Sequence, residues 1–169
     1  MERIQQRDAA PDIRTAKGFG AAVKQIERLL FASSYSILRN NDACADAVQS
    51  ALTKAWESRD RLRNGEQFKA WMVQIVQNES KNLLRRKPNL PLDESIPDKE
   101  ASQDLFDVKE AIAKLPENAR LIVMLYYFER YSVKDICALL RLPQGTVHSR
   151  LARAREQLRK ELPDYASKR

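Results

Sequence analysis

Ser132-Val-Lys-Asp-Ile-Cys-Ala-Leu-Leu140, Arg141-Leu-Pro-Gln144 and Gly145-Thr-Val-His-Ser-Arg-Leu-Ala-Arg-Ala-Arg-Glu-Gln-Leu-Arg-Lys160 form the stretch that decides the fold. Ser132 and Asp135 stand at the spacing of a capping box, which starts a helix whose inward residues are Val133, Ile136, Cys137 and Leu140. A short turn follows, and Val147, Leu151, Ala154 and Leu158 then recur at intervals of four, three and four, the period of a second helix. Two short helices joined by a tight turn, the second polar on its outer side, make a helix-turn-helix.

The outer positions of that second helix include His148, Ser149, Arg150, Ala152, Arg153, Arg155 and Gln157. From Arg141 to Lys160 there are six basic residues and one acid, Glu156, a net +5. A basic outer face suits the major groove, where an arginine pairs with a guanine edge through two hydrogen bonds. Gly145 is small where the helix start approaches a phosphate backbone, and Thr146 is placed to bond a phosphate with help from the helix dipole. His148 has no carboxylate three or four residues away, since positions 144, 145, 151 and 152 are Gln, Gly, Leu and Ala. It is therefore expected to contact a phosphate or base, or water, rather than to act as a general base. The residues expected at duplex DNA are Gly145, Thr146, His148, Ser149, Arg150, Arg153 and Arg155.

Working toward the N-terminus, Leu105, Val108, Ile112 and Leu115 mark one helix, and Pro116 stands where another begins, with Ile122, Leu125 and Tyr126 on one face. Before them, Lys87-Pro-Asn-Leu-Pro-Leu-Asp-Glu-Ser-Ile-Pro-Asp-Lys-Glu100 holds three of the seven prolines and no sustained period. Proline removes a backbone donor and biases its predecessor away from helix, so an extended linker is expected at 87–106. Charge follows the same division. Residues 1–86 hold 15 basic and 10 acidic side chains, 87–106 hold 2 and 5, and 107–169 hold 13 and 8, or +5, −3 and +5.

In the first part, Phe19, Val23, Ile26, Leu30 and Ile37 mark a helix from Thr15 to about Arg39. Asn40-Asn41-Asp42 supplies a turn and N-cap, and Ala47, Val48, Ala51, Leu52 and Ala55 mark a second helix ending near Trp56. Arg59–Gln67, with its Asn64-Gly65 turn signal, reads as a polar basic loop. Phe68, Trp71, Met72, Ile75, Val76 and Leu83 mark a third helix that closes at Arg85-Arg86-Lys87; Trp56 of the second helix and Trp71 of the third lie at or beside apolar-face positions and are expected in the core. The expected fold is all-α: two small helical domains, 1–86 and 107–169, on either side of a linker.

Composition narrows the function classes. The 169 residues carry a net charge of +7, weak evidence for an acidic partner. The longest apolar run, Leu121–Phe128, has eight residues, against the roughly twenty that a membrane span needs. The N-terminus has no apolar signal core, which points to the cytoplasm. One histidine and two distant cysteines, Cys44 and Cys137, cannot make an ordinary zinc site, and the cysteines read as small buried hydrophobes. No acid-base, metal or phosphate-loop constellation is present, so neither an enzyme nor a cofactor is expected.

Two separate stretches resemble a known family. Asp46-Ala-Val-Gln49-Ser-Ala-Leu-Thr-Lys-Ala-Trp56 followed by Phe68-Lys-Ala-Trp71-Met-Val-Gln-Ile-Val-Gln-Asn78 resembles the second conserved region of bacterial RNA polymerase sigma factors. Leu115-Pro-Glu-Asn-Ala-Arg120, Tyr131-Ser-Val-Lys-Asp-Ile-Cys-Ala-Leu-Leu140 and Gly145-Thr-Val-His-Ser-Arg-Leu-Ala-Arg-Ala-Arg155 resemble the fourth. With two domains and a short linker, the chain is similar to the extracytoplasmic-function class over roughly residues 15–162.

The resemblance implies a factor that binds core RNA polymerase, through the clamp of its largest subunit and the flap, and directs it to promoters. The clamp would meet the helix bearing Asp46, Gln49, Ser50 and Thr53; Ser50 departs from the acid that often follows the glutamine. The melted minus-ten strand would meet Arg61, Arg63, Asn64, Lys69, Gln74, Asn78, Lys81 and Arg85, a positive surface of the kind that holds single strands. The helix-turn-helix would read the minus-thirty-five duplex, and the family's habit adds an anti-sigma factor as regulator. Two other readings stand beside this one. A free-standing helix-turn-helix regulator would bind duplex DNA tightly without polymerase, and a sigma mimic would carry a degraded reading helix, against which the +5 of 141–160 argues.

Overall fold

The computed structural model describes residues 11–92, 108 and 110–162, and every regular element among them is helical. In the first group α1 is Ala16–Gln25, α2 Glu27–Leu38, α3 Asn41–Ser58 and α4 Phe68–Arg86; in the second α5 is Glu117–Val123, α6 Val133–Leu140 and α7 Gln144–Glu161. The helix expected over Leu105–Leu115 is described only in part, with helical residues 110–113, and most of the expected linker lies outside the described residues.

The single helix expected from Thr15 to Arg39 is two. Ile26 leaves helical geometry at φ −120° and ψ 12°, and its N–H bonds back to Val23 O at 3.0 Å, a three-residue turn that ends α1. Leu30 N then bonds Ile26 O at 2.9 Å and a new helix begins. The apolar spacing runs on through the break, and no Gly or Pro marks it. The two helices bury different surfaces: α1 buries one stripe, Phe19 and Ala22, whereas α2 is enclosed nearly all round by Leu29, Leu30, Ala32, Ser33, Ser34, Ser36, Ile37 and Leu38.

Three serines let α2 sit so deep. Ser33 Oγ donates to Leu29 O at 2.7 Å, Ser36 Oγ to Ser33 O at 2.8 Å, and Ser34 Oγ meets Ser80 Oγ of α4 at 2.8 Å. Buried hydroxyls are thereby paired, as burial demands, and their small size lets neighbouring helices approach. The caps follow the sequence. Thr15 Oγ1 accepts from Gly18 N, and Asn40 Oδ1 from Ala43 N at 2.8 Å. At Ser132 and Asp135 both halves of the capping box are made.

The basic loop at 59–67 contains two short 3-10 turns, Arg59–Arg61 and Gly65–Gln67. Trp56 and Trp71 are half-buried against the core. Trp56 meets Phe19 edge-on at 5.3 Å and carries the Arg59 guanidinium 3.8 Å above its ring, so little of that ring is left for a base to stack on. After α5 the chain opens into one π-helical turn, Met124–Phe128. This rotates Tyr126 outward, to 38% exposure, and corrects the expectation that it shares an inward face with Ile122 and Leu125.

The two helical groups pack on one another. A single cluster of buried apolar residues runs from Leu30, Met72 and Val76 of the first group to Ile122, Leu125, Ile136, Val147 and Leu151 of the second. α2 lies against α5 and α4 against α6.

Candidate nucleic-acid and polymerase interfaces

The reading helix is held from beneath. Val147, Leu151 and Ala154 are at most 2% exposed and pin α7 to α5 and α6, which leaves Gly145, His148, Ser149, Ala152, Arg153 and Arg155 exposed on the other side. At about 25 cal/mol per Å² of apolar surface, each large buried side chain contributes roughly 1.5–3 kcal/mol to holding that helix in place. Ser149 Oγ is turned back to Thr146 O at 3.0 Å, and His148 Nε2 lies 3.4 Å from Gln144 Nε2, an outward pair without a carboxylate. A Cβ at Gly145 would meet no atom within 4 Å, so nothing in the fold itself demands glycine there.

Three of the outward expectations are modified. Thr146 and Arg150 are half-buried on the flank of α7, and Arg150 lines a cleft against α4. Gln157 is half-buried as well, with its amide donating to Lys114 O at 3.4 Å. Arg155 is exposed, but its Nε is engaged with Leu151 O at 3.3 Å.

Asp46, Gln49, Ser50 and Thr53 are all exposed. At 3.6 residues per turn they fall within one arc of about 100°, a continuous polar stripe on the outer side of α3. On its inner side Ala47, Ala51 and Ala55 are buried, and their small side chains let α3 lie close against α4.

Arg61, Arg63 and Asn64 sit on the 59–67 connection, and Asn64 Oδ1 accepts from Glu66 N at 2.9 Å. Lys69 is exposed on the first turn of α4. Gln74, Asn78, Lys81 and Arg85 share one exposed arc further along it, opposite buried Met72, Val76 and Ser80. The set is thus split into a loop cluster and a helix face, and on the helix face Arg85 bonds Asn82, while Lys81 lies 3.4 Å from Glu117 of the second group.

Sequence reasoning passed over the residues that join the two groups. Arg120, 7% exposed, has no carboxylate at hydrogen-bond distance among the described residues. Its guanidinium donates to Ile112 O at 3.3 Å, Ala113 O at 2.9 Å and Leu115 O at 2.6 Å, and across the groups to Ser36 O. These carbonyls end helices, where acceptors lack intrahelical partners and the dipole is negative. Burial lowers the Arg120 pKa, and the nearby charge of Arg39 adds to the effect. Arg39 itself donates to Ala113 O at 3.1 Å, and Arg28 pairs with Glu129 at 3.1 Å. One signal was available in the sequence: Arg120 is a lone charge beside the longest apolar run.

Comparison with known proteins gives this arrangement its family. The model for sigma-70 region 2 matches residues 22–88, and that for sigma-70 region 4 matches residues 105–158. The ECF RNA polymerase sigma factor SigW of Bacillus subtilis is 29% identical over 151 residues, covering 77% of this chain and 81% of that protein. The ECF RNA polymerase sigma factor SigM of Mycobacterium tuberculosis is 31% identical over 141 residues, covering 80% and 70%. Among solved structures, the sigma factor RpoE of Bartonella quintana, in complex with the anti-sigma factor NepR, superposes with a TM-score of 0.72 at 28% identity, covering 91% of this chain and all of that one.

The chain therefore belongs to the sigma-70 family of bacterial RNA polymerase sigma factors, in the extracytoplasmic-function class. It directs promoter-specific initiation of transcription. Among the described residues, no helix is long and apolar enough to cross a membrane.

Proposed function

We propose that three exposed polar surfaces divide the work of initiation. The α3 stripe of Asp46, Gln49, Ser50 and Thr53 docks on the clamp of the polymerase largest subunit, and the second helical group engages the flap. Arg61, Arg63, Asn64 and Lys69, with the α4 arc of Gln74, Asn78, Lys81 and Arg85, hold the melted minus-ten strand. The outer side of α7 reads the minus-thirty-five duplex through His148, Ser149 and Arg153, while Gly145, Thr146, Arg150 and Arg155 line its phosphate edges. The chain catalyses nothing itself, works in the cytoplasm without a cofactor, and is restrained by an anti-sigma factor, as the Bartonella relative is bound by one.

The observation that carries this reading is the two-sidedness of α7: an apolar face fixed in the core by Val147, Leu151 and Ala154, and an outer face left exposed with its arginines. The test is gel filtration of the purified chain with core RNA polymerase at moderate salt, with Asp46→Arg run beside it. Stoichiometric co-elution that the substitution abolishes is the expected result. A folded chain that fails to co-elute, or binds duplex promoter DNA at nanomolar concentration unaided, would instead make it a free-standing regulator.

A further inference from the structure

α7 begins one residue earlier than the apolar spacing and the turn suggest. Pro143 is its N-cap, with Thr146 N and Val147 N bonding Pro143 O at 3.0 and 3.2 Å, so Gln144 is the first helical residue rather than the last of the turn. Reading helices present their N-terminal residues to base edges in the major groove, and Gln144 therefore stands where such contacts are made. It is exposed, and its side chain caps no backbone group of α7. Its neighbour is Gly145, where a Cβ would meet no atom within 4 Å, so this chain leaves the space beside it open.

The partner of the Gln144 amide is His148, one turn further along the same row of the helix. Gln144 Nε2 lies 3.4 Å from His148 Nε2. An amide nitrogen only donates, so the ring nitrogen accepts, and the imidazole carries its proton on Nδ1. One amide N–H is thereby engaged. The other N–H and Oε1 have no hydrogen-bond partner among the described residues. Side by side on one planar group, that donor and acceptor match N7 and the N6 amino group of adenine. Guanine offers two acceptors at the same edge, cytosine a donor and thymine an acceptor, so none of them takes both bonds. A free glutamine must also freeze its torsions to bind, and the bond to His148 removes part of that cost beforehand.

We propose that Gln144 is a specificity-determining residue of the duplex reader: its amide, aimed by His148, selects adenine at one position of the minus-thirty-five element. His148 acts on it as a positioning residue through Nε2 and keeps Nδ1–H for a contact of its own. This role rests on α7 reading the duplex, as proposed above, and Gln144 lies outside the residues assigned there to DNA.

The test is selection, by holoenzyme carrying the full chain, from duplex promoters randomised across the minus-thirty-five element. Wild type, Gln144→Ala, Gln144→Glu, His148→Leu and His148→Gln are compared position by position. Wild type should favour adenine at one position, and Gln144→Ala should lower that preference by about 5- to 150-fold while leaving the other positions as they were. Gln144→Glu should move the choice at the same position to cytosine, whose N4 amino group donates to a carboxylate. His148→Leu should weaken the adenine preference there, and His148→Gln, which keeps an acceptor at about the reach of Nε2, should restore it.

An adenine preference untouched by Gln144→Ala, or a loss spread evenly over every position, would overturn the reading role. Preference lost in Gln144→Ala but kept in His148→Leu would overturn the positioning role alone. A wild-type holoenzyme that selects no base anywhere in the element would instead remove α7 from duplex reading, the assignment beneath this one. Thermal melts and co-elution with core polymerase establish that each variant is folded and seated, and the exposure of both side chains predicts that they are.

Discussion

Arg153 offers the sharpest separation of DNA reading from everything else. It is exposed near the middle of α7 and makes no hydrogen bond or ion pair among the described residues, while its neighbour Ala154 is buried. Removing its side chain therefore leaves no partner unsatisfied, and such surface changes usually shift stability by no more than about 0.5 kcal/mol. A bidentate contact to a guanine edge discriminates by about 1–3 kcal/mol, or roughly 5- to 150-fold in affinity. In Arg153→Ala, holoenzyme affinity for promoters selected by the wild-type holoenzyme should fall by that factor, with equal co-elution on core polymerase. Run-off transcription and anisotropy against salt separate two kinds of contact. A base contact gives losses that differ among promoters at an unchanged salt slope; a phosphate contact gives a uniform loss and a slope shallower by about 1. Unchanged transcription at every promoter would remove the α7 face from recognition, and loss of polymerase association would reassign that face to the enzyme.

Two further outcomes test the scaffold. Leu151, 2% exposed, anchors α7, and Leu151→Ala should cost about 2–5 kcal/mol. For a chain of this length that lowers the thermal midpoint by roughly 4–20 °C; a midpoint within a degree of wild type would show that α7 is not held by this contact. Asp135 is held below the ordinary carboxyl value of 3.8, first by the Ser132 side-chain hydrogen bond and then by the Ser132 backbone N–H. A depressed folded-state value means that its stabilisation is complete above the ordinary value and is lost as pH falls through the lower one. Thermal melts between about pH 3 and pH 7 should therefore show Asp135→Ala less stable than wild type at neutral pH, with the gap closing at the acid end. A gap independent of pH would mean that the capping carboxylate contributes packing alone.

The helix-turn-helix was the most legible part of the chain because each of its demands is local. A capping box, a turn and a 4-3-4 apolar spacing are set within thirty residues, and the structure places the corresponding side chains as those signals require. The break at Ile26 was not legible, because the same apolar period continues on both sides and the change lies in which neighbours each helix meets. The outward rotation of Tyr126 was hidden for a related reason: a π turn adds a residue to the helical count, and periodicity assumes that count is fixed. Arg150, placed among the groove-facing arginines by its spacing, is half-buried in the cleft because α4 comes up against that flank of α7. Helical wheels describe one helix at a time and carry no information about a partner that far away in sequence.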